Sequence, residues 1–250
     1  MLGVIAVTAT ATLCSSLIFI SMIVAAAYVG TRARHNELIE KAELVTAQNL
    51  PGLEALIRKC IARLQVEPVQ VFVAPSRALN AYTFGLSSPK AVVVYSPLLR
   101  MMDEDELTFI VGHELGHVRL GHTWLNSLVG GMAGIPSPFM ASAILHFAFL
   151  WWNRACEYSA DRAGLLACGR LDKAISALVR LATGTTSRST EVLALAYERV
   201  DAEDDDLTSN FAELLTTHPM MIRRVEELKR YAATGEYKRL QGRVNENLPA

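Results

Sequence analysis

The chain has 250 residues, enough for one sizeable domain and a small appendage. Its 24 basic and 25 acidic residues nearly balance, and no basic cluster is present, which excludes a general polyanion or nucleic-acid binder. Apolar residues make up 51% of the chain, a high share for a purely soluble protein, and the excess is concentrated in residues 1–30 and 123–152.

Residues 1–30 contain no charged side chain and are long enough to cross a bilayer as a helix. Because they lack the positive segment with which a cleaved signal peptide usually begins, we predict an uncleaved, single-pass transmembrane anchor. Arg32 and Arg34 follow it, and the positive-inside rule places the next domain on the cytoplasmic side of the cell (inner or plasma) membrane. The four cysteines form no CxxC pair, which fits a reducing compartment. A secretory signal and a buried core helix are the alternatives for this segment.

The sequence after the anchor predicts an α+β domain, mostly α, over residues 35–235. Helical spacing of apolar residues predicts helix over residues 35–64, with a break at residues 49–52. Short runs rich in valine and aromatic residues predict three strands: Val69–Ala74, Asn80–Gly85 and Ala91–Tyr95. We expect these strands to form a small antiparallel sheet packed beside the helices.

An HExxH motif runs from His113 to His117 in a strongly helical window. Histidines four positions apart lie on one face of a helix, so both imidazoles can bind a single metal ion. Glu114, between them, can handle a metal-bound water. Asp103 and Glu106 have the spacing of a capping box, which predicts that the helix begins there. The alternative is that the two histidines merely face a polar surface.

Residues 123–152 are almost uncharged, and glycines and prolines divide them into two apolar halves. Two full crossings of a bilayer would need about 40 residues, more than this stretch has. We therefore predict an apolar helical hairpin, made by extending the metal-binding helix and its successor, that dips into the bilayer from one face. Trp151 and Trp152 precede Arg154, the order expected where a helix leaves a membrane interface. An ordinary buried hairpin is the alternative.

A catalytic zinc site typically has three protein ligands and one position for water, so a third ligand is expected from a second helix. Residues 157–183 are predicted to be helical, and Glu157 and Asp161 share one face of that helix. We predict that Glu157 binds the metal and that Asp161 hydrogen-bonds to a ligand histidine and fixes its orientation. A pair of surface charges is the alternative. His122, five positions beyond His117, is predicted to point away from the ligand face and to be structural.

The last predicted helix runs from Pro219 to Ala233, after a loop at residues 184–190 and an acidic run at residues 201–206. The tail, residues 236–250, is polar and is predicted to be loosely ordered. The predicted organisation is therefore an anchor, one domain and a tail.

These motifs, in this order, resemble those of the membrane-associated gluzincin zinc metalloproteases, the group that includes the heat-shock protease HtpX and the CAAX prenyl endopeptidases. Besides HExxH, the resemblance rests on residues further along the chain: Glu157, Asp161, His218, Pro219, Arg224, Val225 and Leu228. Asn80-Ala81-Tyr82 resembles the Asn-Ala-aromatic segment near the substrate cleft of that family. The chain departs from the best-known members in having one hydrophobic segment, instead of several, before HExxH.

The resemblance implies a zincin-like helical metalloprotease domain with one Zn²⁺ per chain, held by His113, His117 and Glu157. Another divalent ion is the alternative to zinc. Glu114 would accept a proton from the metal-bound water and deliver it to the leaving amine. His218 is implied as a donor to the oxyanion, and a helix-capping or core role is the alternative for it.

Protein or peptide substrates are expected to add a strand beside Asn80, Ala81 and Tyr82, because backbone pairing binds many sequences with little selectivity. This favours an endopeptidase of broad preference that acts on misfolded membrane proteins. The alternative is a proteolytically silent metal-binding membrane scaffold or chaperone-like module. Glu114 weighs against that alternative, since a structural site needs no base. Cleavage of prenylated C-terminal motifs ranks lower, because the small membrane portion leaves little room for an enclosed intramembrane chamber.

Overall fold

The computed structural model describes residues 35–85, 88–124, 143–184 and 221–247, with some positions between residues 18 and 33; of residues 143–150 it describes the backbone alone. Its strands are β1 (Glu43–Leu44), β2 (Val69–Ala74), β3 (Ala81–Phe84) and β4 (Lys90–Tyr95). Its helices are α1 (Pro51–Leu64), α2 (Ser96–Met101), α3 (Glu104–Arg119), α4 (Ala143–Cys168), α5 (Leu171–Thr183), α6 (Met221–Ala232) and α7 (Gly235–Glu246). The predicted α+β class, mostly α, is confirmed.

The four strands form one mixed sheet in the order β1-β2-β4-β3. β1 pairs with β2, and β3 with β4, in antiparallel orientation, whereas β2 and β4 are parallel. The prediction of an antiparallel sheet was therefore wrong for the central pair. The β3–β4 hairpin places β4 between β3 and β2, where it runs in the same direction as β2. Val92, Val93 and Val94 are fully buried, which suits a strand that is covered on both faces.

Hydrophobic clusters pack on both faces of the sheet, because successive side chains of a strand point to opposite faces. On one face, β2 and β4 pack against α1, α3, α4, α5 and α6, around a core that includes Leu98, Phe109, Leu115, Leu165 and Leu178. On the other face, Leu38 and Ile39 cover Phe72 and Val93. The first of these cores holds the helix that carries HExxH against the sheet.

Helix α3 begins at the predicted capping box. The Asp103 carboxylate accepts a hydrogen bond from the Glu106 backbone N–H at 3.0 Å, and the Glu106 carboxylate accepts one from the Asp103 N–H at 2.9 Å. Glu106 is buried, and its Oε1 also accepts a hydrogen bond from Arg180 Nε of α5 at 2.9 Å. This ion pair ties the start of α3 to α5, so both the axis and the starting residue of the helix are fixed.

Helices α3 and α4 cross in close contact through glycines. A Cβ added at Gly116 would lie 2.7 Å from Ala163 Cβ, and one added at Gly164 would lie 2.8 Å from the backbone oxygen of Phe109. A Cβ added at Gly112 would likewise clash with Ala167. Larger residues would therefore force the two helices apart, and Glu157 on α4 would move away from the histidines on α3.

Two glycines with positive φ end helices that the sequence predicted to continue. At Gly169 (φ 72°), the helix predicted over residues 157–183 divides into α4 and α5. At Gly121 (φ 76°), the chain turns just after α3, so the HExxH helix does not extend into the apolar stretch as the predicted hairpin required. A left-handed conformation of this kind favours glycine, which has no Cβ. Residues 125–142 lie outside the described residues, and entry of this stretch into lipid stays a prediction.

The tail predicted to be loosely ordered is instead helical as far as Glu246, as α7. Thr234 caps this helix, since its hydroxyl accepts a hydrogen bond from the Tyr237 backbone N–H at 3.1 Å. Val244 is buried, and Tyr237 packs against the main core. The prediction was wrong because a largely polar sequence still places enough apolar side chains on one helical face to dock.

Among the described residues, no helix combines the length and the apolar character needed to cross a bilayer. Residues 1–17 lie outside the described part of the chain, so the anchor stays a prediction. At the described positions of the predicted anchor, Ile18, Met22 and Val29 expose their apolar side chains.

We expect Gly164→Ala to lower the free energy of unfolding by about 1–3 kcal/mol, because the added methyl group overpacks the contact between α3 and α4. The variant should also bind metal more weakly, although Gly164 contacts no metal-binding side chain. Denaturant unfolding and metal titration measure the two effects.

The matched control is Gly242→Ala in α7, where an added Cβ meets no atom within 4 Å. This change should leave metal affinity unchanged and raise stability by about 0.5–1 kcal/mol, since alanine favours helix over glycine. Equal stability of the wild type and Gly164→Ala would contradict the close-contact interpretation.

Candidate active site

Three potential metal ligands converge between α3 and α4. His113 Nε2 lies 3.2 Å from His117 Nε2, and the Glu157 carboxylate oxygens lie 3.7 Å from His113 Nε2 and 3.6 Å from His117 Nε2. Tetrahedral ligands about 2.1 Å from an ion are about 3.4 Å from one another. All three side chains are buried, and among the described residues this trio is the group able to hold a metal ion. The spacing therefore fits a small divalent cation.

The charges around this trio also fit a divalent cation. The carboxylates of Glu114, Glu157 and Asp161 are buried together with a single guanidinium, that of Arg224. When the two ligand imidazoles are in the neutral form that binds a metal and the three carboxylates are ionised, these groups leave two negative charges uncompensated. Burying an unbalanced charge is costly, so a bound dication would stabilise the site by neutralising it.

Asp161 takes the place that the sequence predicted for it, beside a histidine. Its Oδ1 lies 2.9 Å from His113 Nδ1, so that Nδ1–H donates to the carboxylate and Nε2 points at the metal position. Arg224 of α6 donates two hydrogen bonds to Asp161, at 2.8 and 2.6 Å, and its Nη1 lies 3.2 Å from Glu157 Oε2. Burial alone would raise the pKa of Asp161, but Arg224 and His113 outweigh it and hold the pKa below the ordinary value.

His122 contacts the second histidine, contrary to the prediction that it points away from the ligand face. Its Nδ1 lies 3.0 Å from His117 Nδ1. The prediction extended helical spacing from His117, but the chain turns at Gly121, and His122 folds back. Burial lowers the pKa of His117 to about 3 and that of His122 to about 4, so both rings are neutral near pH 7. One ligand histidine is thus held by a carboxylate and the other by an imidazole.

Glu114 is buried beside the trio, and burial raises its pKa above the ordinary carboxyl value. Thr83 of β3 donates a hydrogen bond from Oγ1 to Glu114 Oε2 at 2.7 Å. A base performs best when its pKa lies near the working pH, so a raised carboxyl pKa suits proton transfer in neutral solution.

A cleft of about 320 Å³ opens onto the trio. Its lining includes the three residues predicted to bind substrate, which lie at the start of β3: Asn80, Ala81 and Tyr82. β3 is an edge strand, paired with β4 on one side. The remaining lining residues are the site residues His113, Glu114, His117, Glu157 and Arg224 and the mainly apolar Leu79, Phe109, Ile110, Leu181 and Met221.

His218, the predicted oxyanion donor, lies outside the described residues. The sequence predicted no role for two residues that contact the site, Thr83 and Arg224. Arg224 carries a readable signal, because Leu228 and Tyr231 follow it at helical spacing on the buried face of α6. A charge at a core-facing position predicts a buried ion pair. Thr83 carries no such signal, since its contact depends on how β3 packs against α3.

The family model described as Peptidase family M48 matches residues 47–232. The chain is similar to the plastoglobule-localized metallopeptidase 48 of Arabidopsis thaliana (29% identity over 223 residues, 84% of this chain and 65% of the relative). It is also similar to a Protease HtpX homolog of Pyrococcus furiosus (24% identity over 226 residues, 76% of this chain and 77% of the relative).

Among solved structures, the chain is similar to S. mikatae Ste24p, with a TM-score of 0.46 and 16% sequence identity. That match covers 75% of this chain and 51% of the Ste24p chain. The chain thus spans slightly less than two thirds of the Arabidopsis relative and about half of Ste24p.

We expect His122→Leu to weaken zinc affinity about 10- to 100-fold, because His117 Nδ1–H loses its acceptor. His122→Asn, whose amide oxygen can replace the imidazole Nδ1, should retain most of the affinity. Competition with a chromophoric chelator measures both constants, and thermal unfolding checks that the variants fold. Equal affinities for the Leu and Asn variants would show that the contact does not orient His117.

Proposed function

The chain belongs to peptidase family M48, a family of metalloproteases, and we propose that it is a membrane-anchored zinc endopeptidase. The observation that carries the proposal is the convergence of His113, His117 and Glu157 with Glu114 beside them. Two imidazoles and one carboxylate are ligands that zinc favours, and three protein ligands leave a position open for water.

Glu114 acts as the general base in this proposal. Bound zinc would lower the pKa of a coordinated water and polarise the peptide carbonyl. Glu114 accepts a proton from the water that attacks the carbonyl and delivers this proton to the leaving amine. Its burial next to the trio and its raised pKa support this role. Asp161 and Arg224 keep the His113 imidazole and the Glu157 carboxylate oriented throughout.

Substrate binds in the cleft along the edge of β3. Asn80, Ala81 and Tyr82 line the cleft, so an extended peptide that pairs with this edge would pass beside the trio. Main-chain pairing demands little of the side chains, which supports a broad preference for unfolded proteins, including misfolded membrane proteins.

His218 is our candidate for the donor that stabilises the oxyanion. Met221, three positions later, lines the cleft. Three residues span at most about 10 Å, so the chain before Met221 is short enough for His218 to act at the cleft in this proposal.

Two apolar stretches of the sequence, residues 1–30 and 123–152, support a membrane location. Residues 1–30 would cross the cell membrane once, with Arg32 and Arg34 on the cytoplasmic side together with the catalytic domain. Trp124 and Trp151, which flank residues 125–150, expose 57% and 68% of their surface. Exposed tryptophans at this position support a second contact with the membrane interface.

Glu114→Gln should reduce casein cleavage about 10²- to 10⁴-fold, because the base is lost while the shape of the side chain is kept. Zinc content should stay the same, since Glu114 is not one of the three ligands. Initial cleavage rates and metal analysis of the purified protein measure these two quantities. A chelator should abolish wild-type cleavage, and added zinc should restore it.

Glu104→Gln, the same substitution at an exposed position of α3, is the matched control and should retain wild-type activity. Cleavage by the wild type that matches its Glu114→Gln variant would refute the catalytic proposal. A wild type that binds zinc but cleaves neither casein nor unfolded membrane proteins would favour the scaffold alternative.

The full chain should stay in the membrane fraction after an alkaline carbonate wash, because an apolar helix holds it there. A fluorescent protein fused after Ala250 should fold and fluoresce, since the proposal places that end in the cytoplasm. Replacing Arg32 and Arg34 with serine should lower the share of chains in this orientation. A periplasmic or luminal reporter in the wild type would contradict the proposed topology.

A further inference from the structure

The buried hydroxyl of Thr83 donates a hydrogen bond to Glu114, the proposed base. Thr83 is 2% exposed and belongs to β3, and its Oγ1 lies 2.7 Å from Glu114 Oε2. The same oxygen lies 3.2 Å from the backbone oxygen of Glu114. A hydroxyl has one hydrogen to donate, and the shorter distance assigns it mainly to the carboxylate.

We infer that Thr83 is a positioning residue for catalysis, which orients Glu114 through this hydrogen bond. The inference rests on the proposed function, because it gives Thr83 a role only if Glu114 is the base. Thr83 does not line the cleft, whereas Glu114 and the neighbouring Ala81 and Tyr82 do. Thr83 therefore acts on the reaction through Glu114 and has no direct contact with substrate.

The need for such a contact follows from the flexibility of the glutamate side chain. The last torsion of glutamate has a broad energy profile, so packing alone leaves the orientation of the carboxylate plane poorly defined. A donor on Oε2 fixes that plane and leaves Oε1 as the oxygen free to receive the proton. Threonine suits the task because its branched Cβ restricts χ1, so the strand backbone determines the direction of the hydroxyl.

The position of Thr83 also links base orientation to the substrate-binding edge. Thr83 faces Val92 of β4 in the antiparallel β3–β4 pair, and its Oγ1 reaches α3. The strand proposed to pair with substrate thus carries the side chain that holds the base. A correctly seated β3 is required for both functions.

The test compares Thr83→Val, which keeps the shape and removes the donor, with Thr83→Ser, which keeps the donor. For a quenched peptide cleaved by the full chain, Thr83→Val should lower kcat about 10- to 100-fold, the range expected for a hydrogen bond to a charged group. KM and bound zinc should change less than about two-fold, since neither substrate nor metal contacts Thr83. Thr83→Ser should recover most of kcat.

Thr108→Val is the matched control. Thr108 is also buried, but its hydroxyl donates to the backbone oxygen of Glu104 and contacts no group of the site. This variant should retain wild-type kcat and KM. In addition, Thr83→Val combined with Glu114→Gln should be no slower than Glu114→Gln alone, because the hydroxyl acts only through the base.

Three outcomes overturn the inference. Wild-type kcat in Thr83→Val means that the hydrogen bond does not orient the base. A loss of kcat accompanied by loss of bound zinc or of the folded state, without rescue by serine, means that Thr83 is structural. Absence of cleavage by the wild type refutes the proposed function, and the inference with it, whereas the first two outcomes refute the inference alone.

Discussion

The distance between α3 and α4 determines whether this site can exist, because two ligand atoms lie on one helix and the third on the other. Gly112, Gly116 and Gly164 permit the approach that leaves the Glu157 carboxylate within 3.7 Å of both imidazoles. Metal–ligand bonds tolerate deviations of only about 0.2 Å, so an added methyl group at this contact would exceed what the site can absorb. We therefore expect packing remote from the chemistry to affect metal binding at the proposed site.

The buried charges form a second constraint that is coupled to the first. Asp161 accepts hydrogen bonds from both His113 and Arg224, and Arg224 also forms an ion pair with Glu157. Each partner compensates a charge that would be costly alone. The second ligand histidine is held differently, by the neutral imidazole of His122. The two histidines of the trio thus differ in the group that orients them, a charged carboxylate for His113 and a neutral imidazole for His117, although the Nε2 atoms of both rings lie close together.

Local periodicity predicted most of the site, and long-range packing accounts for the errors. HExxH and the later acidic pair depend on spacing within single helices, so the positions of His113 and Glu157 on their helices followed from the sequence. The three predicted strands match the observed ones to within one residue at every end, but the parallel pairing of β2 with β4 depends on strand order, which no local pattern encodes. His122 was misplaced because Gly121 ends the helical spacing on which the prediction relied. Thr83 was missed because strand-to-helix contacts have no periodic signal.

The late position of Arg224 in the chain affects when, during synthesis, the site can form. The trio and Asp161 are all synthesised before it, so a growing chain contains the buried carboxylates before it contains their cation. Until α6 leaves the ribosome and docks, those carboxylates repel one another and the crossing of α3 and α4 is destabilised. The geometry of the trio is therefore completed only after α6 has been synthesised, and a chain that stops short of α6 would carry the three proposed ligands yet lack the guanidinium that offsets part of their negative charge.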